Sequence, residues 1–176
     1  MLINFSLSNF LSFNQEQVFS MEAGKVRKNS KRIYKSRNVK LTKCEAIFGA
    51  NASGKSNLVE AFRFVQDMIT DGFTNKYFRQ NPENQSLPTS FKIELLIDKK
   101  RFIYGFSLVL RTRTIQNEYL YELTNTNTKK LLFHRDLLNG MLTIGEYFKT
   151  KKSIEKLASY GEDSITETEL LFLSII

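Results

Sequence analysis

One cysteine, one histidine, two prolines and no tryptophan set the first limits on this chain. A single thiol, Cys44, cannot build a disulfide framework and points to a reducing compartment. Cys44 and His134 together fall short of the ligand sets that zinc and similar metals use. Long apolar runs are missing too: the largest cluster, Leu170 to Ile176, is far below the ~20 residues that cross a bilayer as a helix. The start, Met1-Leu-Ile-Asn-Phe-Ser, alternates rather than forming the charged start and apolar core of an export signal. A cytoplasmic location without a membrane partner is therefore expected.

Acidic residues are also scarce, 18 against 26 lysines and arginines, so the 176-residue chain carries +8. The excess is concentrated: from Gly24 to Cys44 there are nine basic residues and no acidic one. Such a segment attracts polyphosphate, in a nucleotide or in nucleic acid. The simpler reading is a solvated, mobile loop between two strands, and such a loop can still order on an anion. Lys25, Arg27, Lys28, Lys31, Arg32, Lys35 and Arg37 are the candidate phosphate or nucleic-acid contacts.

What is plentiful is apolar and aromatic: 41% hydrophobic residues, with 15 Phe and 7 Tyr, enough for one folded domain with a real core. Residues 2–7 alternate with Ile3, Phe5 and Leu7 on one face, which predicts a half-buried strand, and Gln17 to Met21 can pair back onto it. The short run Ala46-Ile47-Phe48 predicts a buried strand. After it, Leu58, Ala61, Phe62, Val65, Met68 and Ile69 follow helical spacing, so Lys55 to about Thr70 is predicted as an amphipathic helix, with Gly72 as its stop signal. Residues 73–90 read as an exposed connection. Antiparallel strands are expected over 91–97, 101–110, 114–123 and 130–134, and a helix over about 146–160. Leu170 to Ile176 reads as an apolar helix or strand cut in the middle. Neither internal repeats nor low-complexity segments occur.

Between the predicted strand at 46–48 and the helix lies FGANASGKSN, residues 48–57. Gly49, four residues, then Gly54-Lys55-Ser56 is the spacing of a phosphate-cradling loop. Glycines permit the tight turn and the close approach of backbone to phosphate. Successive N–H groups surround the β-phosphate while the following helix aims its positive end at the same place. Gly49, Ala50, Asn51, Ala52, Ser53, Gly54, Lys55, Ser56 and Asn57 are therefore the expected nucleotide-binding residues. Lys55 would bridge the β- and γ-phosphates of ATP and Ser56 would ligate Mg²⁺. Hydrolysis demands more, an Asp at a strand end and a group that orients water. Asp98 is the nearest candidate for the Asp, and the Lys99-Lys100 that follows makes a hairpin turn the simpler account. His134 and Cys44 read as structural, Cys44 as a small packed residue.

These residues carry a family resemblance. SNFLSF (8–13), CEAIFGANASGKSNLVEAF (44–62) and the aromatic strands after them resemble the first lobe of ABC-type ATPases. The branch is that of RecF, the structural-maintenance-of-chromosomes proteins and the overcoming-lysogenization-defect nucleases. Similarity is greatest to bacterial AAA-type ATPases of phage-defence and abortive-infection systems. The resemblance implies an α/β P-loop fold, an ABC-ATPase-like first lobe with a mixed sheet and an antiparallel β arm. Within a single lobe, 1–176, it suggests a nucleotide-binding core over 1–72 containing the basic segment 24–44, then a connection 73–90, an arm 91–135 and a helical region 145–176. It places the Asn9–Phe13 turn near the base and sugar. It also implies an ATP-gated homodimer coupled to a nuclease or other effector on DNA or RNA. The family's signature motif, its apolar run ending in Asp-Glu and its switch histidine do not occur here. A lobe truncated before its second half is expected, with hydrolysis belonging to the complete protein. A non-catalytic nucleic-acid-binding module with a vestigial loop stays open as the alternative, and a small phosphotransferase kinase as a more distant one.

Overall fold

The computed structural model describes residues 1–25, 30–36, 39–73, 82–146 and 169–175. In chain order its strands and helices are β1 (Leu2–Ser8), β2 (Gln17–Ser20), β3 (Ile33–Ser36), β4 (Val39–Thr42), α1 (Lys55–Thr70), β5 (Thr89–Ile97), β6 (Lys100–Val109), β7 (Thr114–Leu123), β8 (Lys129–Asp136), β9 (Met141–Ile144) and α2 (Phe172–Ile175). The architecture is mixed α/β, as the sequence predicts.

Seven strands make one sheet in the order β2-β1-β5-β6-β7-β8-β9, every pair antiparallel. Alternation in the sequence decides which side of this sheet is dry. Phe5 and Leu7 of β1, Phe91 of β5, Tyr104 and Phe106 of β6 and Phe133 of β8 all point to the side that α1 covers. Helix α1 meets them with Ala61, Phe64, Val65 and Met68, its buried stripe. Rings interlock across this seam: Phe62 stacks on Phe5 at 4.2 Å between centroids, and Phe64 lies 5.3 Å from Phe91. Losing one such fully buried ring costs about 3–5 kcal/mol. The helix starts where predicted and ends at Thr70, with Asp71 as C-cap and Gly72 just beyond.

Three expectations change. Residues 33–36 and 39–42 of the basic segment are not a mobile loop but the paired strands β3 and β4, because Val39 and Leu41 alternate inward onto Ile3 and Leu96. Strand β4 is tied to the segment that follows β2 through Ala23 N–H to Lys40 O (2.7 Å) and Thr42 N–H to Met21 O (2.9 Å). Ala46-Ile47-Phe48 is no buried strand: it forms no strand at all, and Ile47 and Phe48 are 46% and 90% exposed. A strand exists only where neighbours satisfy its backbone, and no described strand runs beside this one. Cys44, expected to be packed, is exposed in the same stretch.

Strand β9 escaped the sequence reading because its four residues are too short to show a period. The helix expected over about 146–160 falls almost wholly outside the described residues. Leu171 and Phe172, at the start of the apolar cluster, are fully buried, and Phe172 meets Phe133 edge-on at 5.0 Å.

Candidate nucleotide site

Gly49 to Ser56 forms the approach to the N-terminus of α1, open to solvent over most of its length. Backbone conformation here depends on residue type: Ala52 has φ 63° and Gly54, the N-cap, φ 90°. The left-handed region costs an L-residue about 1–2 kcal/mol, and glycine adopts it freely. A Cβ on Gly54 would also sit 3.3 Å from Ser12 Oγ and 3.5 Å from Phe13 Cζ. Among the described residues no side chain caps this helix, whose N-cap is a glycine, so its first N–H groups can meet an anion.

Lys55 folds back over the loop. Its Nζ donates to Gly49 O (2.8 Å), Ala50 O (2.6 Å) and Ser53 Oγ (3.3 Å). The ammonium thus lies inside the turn that the spacing reserves for phosphate, held by carbonyls that an incoming anion would replace. Ser56 is exposed on the first turn, where its hydroxyl can reach a cation bound to such an anion. Asn57 turns the other way and donates through Nδ2 to Ser12 Oγ at 2.7 Å.

That bond joins the loop to the 9–13 turn, which is rigidly mounted. Phe10 and Phe13 exchange backbone hydrogen bonds of 3.0 and 2.9 Å. Asn9 donates to Asn84 O and Leu87 O, both at 3.0 Å, and its carbonyl accepts from buried Thr89 at 2.7 Å. Positive φ at Asn9 (53°) and Leu11 (51°) shows how firmly these contacts constrain the chain. Between this turn and the loop lies a cleft of about 520 Å³ lined by Ser12, Phe13, Asn14, Gln15, Ala52 and Ser53 among others. Asn14 and Gln15 were not singled out from sequence. Two adjacent amides after an aromatic turn were the available signal.

The basic residues lie elsewhere. Lys25, Lys31, Arg32 and Lys35 are exposed, while Arg27, Lys28 and Arg37 lie outside the described residues. Their hairpin is anchored on Ile3 and Leu96, at the end of β1 opposite the Ser12 contact. Asp98 belongs to the two-residue β5–β6 turn, with φ 48° there and 66° at Lys99, the geometry of a tight hairpin. His134 sits in β8 beside Asn117, its Nε2 3.0 Å from Asn117 Nδ2. Among the described residues no three His, Cys, Asp or Glu side chains group as a metal site. No described helix is long and apolar enough to cross a membrane.

A second polar cluster, buried and invisible to pattern reading, ties residues 170–173 to the sheet. Glu118 of β7 and Arg135 of β8 are both 0% exposed, with Arg135 Nη1 3.4 Å from Glu118 Oε2. Glu118 Oε1 accepts from Tyr104 Oη (2.9 Å) and Leu173 N–H (3.0 Å), and Oε2 from Phe172 N–H (2.6 Å). Arg135 donates to Leu170 O at 2.7 Å. Burial raises the Glu118 carboxyl above its usual range, against the Phe172 and Leu173 N–H groups that favour its charge. Tyr104 is pushed up by burial first and by neighbouring Glu118 second.

The family model described as "AAA domain, putative AbiEii toxin, Type IV TA system" matches residues 46–159, well over half of the chain. No curated protein matches the chain itself.

Proposed function

The chain belongs to this AAA domain family of P-loop ATPases, and we propose that it is the ATP-binding lobe of a phage-defence ATPase resembling the RecF, structural-maintenance-of-chromosomes and overcoming-lysogenization-defect branch. In this reading the β- and γ-phosphates of ATP displace Lys55 from the Gly49 and Ala50 carbonyls. The N–H groups from Ala52 to Ser56 surround them, and Ser56 ligates Mg²⁺. Base and sugar occupy the cleft beside Phe13, Asn14 and Gln15. The observation that carries it is the uncapped N-terminus of α1 preceded by a glycine-hinged loop that already encloses an ammonium group.

Exposed Ile47 and Phe48 support a further element, since solvent is an unfavourable place for two large apolar side chains beside a ligand loop. We assign them to contact with additional polypeptide, consistent with a lobe whose ATP-bound form pairs with a second head and drives a nucleic-acid-directed effector in the cytoplasm. The proposed division remains a nucleotide core over 1–72, a connection over 73–90, a β arm over 91–135 and a helical region over 145–176.

Titration of Mg·ATP into the protein and its Lys55→Ala variant tests the central claim. Loss of at least about tenfold in affinity, ~1.4 kcal/mol, is expected. Equal affinity would refute it. The second reading, a nucleic-acid-binding module with a vestigial loop, draws on exposed Lys25, Lys31, Arg32 and Lys35. It requires salt-sensitive oligonucleotide binding that is independent of ATP and lost when those side chains are neutralised.

A further inference from the structure

The sheet has a second face, turned away from α1, and its composition is unlike an ordinary solvated surface. Strand register places Val18, Ser6, Lys92, Gly105, Tyr119 and His134 in one row across six strands. A neighbouring row brings Asn4, Glu94, Ile103 and Tyr121 side by side. Two adjoining grooves of about 540 and 730 Å³ run over this face and share Ser6, Lys92, Asn117 and Tyr119.

Small residues dig the trough and tyrosines form its wall. Gly105 sits directly under Tyr119, where any Cβ would run into the phenol ring. The missing side chain lets that ring lie down across β6. Tyr119 and Tyr121 are neighbours on the same face, 5.5 Å between centroids. Lys129 holds its ammonium 5.6 Å above the Tyr121 ring. The carboxylates here already have cationic or amide partners: Glu94 is bound by Arg101 and by Asn4 (2.9 Å), and Glu16 by Lys92 (3.2 Å). What faces a ligand is therefore aromatic, amide and hydroxyl surface with Lys129 at its margin, on a chain of net charge +8.

We propose that this open face binds single-stranded nucleic acid, with bases stacking on Tyr119 and Tyr121 and the backbone passing Lys92 and Lys129. Aromatic side chains on a sheet face that no described helix or strand covers suit splayed-out bases, and cations beside them suit phosphate. A duplex hides its base faces and gains nothing from the tyrosines. The site is independent of the basic hairpin and of the nucleotide loop, so it stands or falls apart from either reading above.

Fluorescence anisotropy of labelled oligothymidylate and oligouridylate of about 15 nucleotides, with the duplex as competitor, tests it on the full chain. Tyr121→Ala is expected to weaken binding about tenfold or more, with Tyr121→Phe restoring it. Gly105→Ala, which only lifts the Tyr119 ring, should weaken it without altering charge. Neutralising Lys31 and Lys35 should leave the tyrosine dependence intact. Far-UV circular dichroism checks that each variant folds; should Tyr119→Ala fail, Tyr121→Ala and Gly105→Ala decide. The proposal is overturned if neither oligonucleotide binds, if the duplex competes equally, or if affinity ignores both tyrosines.

Discussion

Removing the Glu118 carboxylate should be among the most damaging single changes outside the aromatic core. Alanine at this position takes away the acceptor of the Phe172 and Leu173 N–H groups and of the Tyr104 hydroxyl, and the counter-charge of fully buried Arg135. An orphaned buried donor costs about 1–3 kcal/mol, and breaking a buried ion pair about 3–5 kcal/mol. These do not add. The Tyr104 hydroxyl can rotate, and a four-residue helix can loosen enough to let its two N–H groups reach water. Loss of the buried ion pair dominates, so about 4 kcal/mol is expected, about a quarter or more of a typical domain's stability. Glu118→Gln should cost less, because it loses the ion pair but its amide oxygen can still accept from the Phe172 or Leu173 N–H. Urea unfolding followed by circular dichroism gives both values, and amide exchange at Phe172 and Leu173 reports whether the segment detaches. A loss below about 1 kcal/mol for alanine, or glutamine as harmful as alanine, would refute the reasoning.

Other consequences can be measured on the same protein. Because the Glu118 pKa is raised above 4.5, the folded state holds its proton more tightly than the unfolded chain. Its contribution to stability is fully present below that value and is lost as pH rises through the folded pKa. Urea midpoints of wild type and Glu118→Gln between about pH 4 and pH 7 should therefore converge with rising pH. Phe48→Asp should change stability by less than about 0.5 kcal/mol, since that ring is 90% exposed; a loss of several kcal/mol in urea unfolding would restore the buried-strand expectation. Gly54→Ala places a Cβ at φ 90° and against Ser12. It should cost about 1–2 kcal/mol and weaken Mg·ATP binding in calorimetry, and an unchanged affinity would show that the loop does not hold the phosphates.

Much of the fold is legible in the sequence, for identifiable reasons. Helix α1 was legible because six apolar residues repeat at its own period over sixteen positions. Strands β5 to β8 were legible because each is eight to ten residues of aromatic and aliphatic side chains bounded by turn residues. Strands β3 and β4 were hidden by the basic residues in and around them, which drew attention to charge although Val39 and Leu41 alternate inward. Ala46-Ile47-Phe48 misled in the opposite direction: apolar character predicts a strand, but a strand is a relation between segments.

The sequence by itself determined the chemistry of the loop, because Gly49, Gly54, Lys55 and Ser56 are neighbours along the chain and their spacing is a local property. It likewise determined that Ile3, Phe5 and Leu7 would share the dry side of β1. Tertiary structure alone decided what meets across long separations: Asn57 with Ser12, Glu118 with Phe172, and Tyr119 over Gly105. Those pairings follow from strand order and register, which one chain's pattern does not encode at any single position. They arise only when the sheet closes and each side chain receives its neighbours.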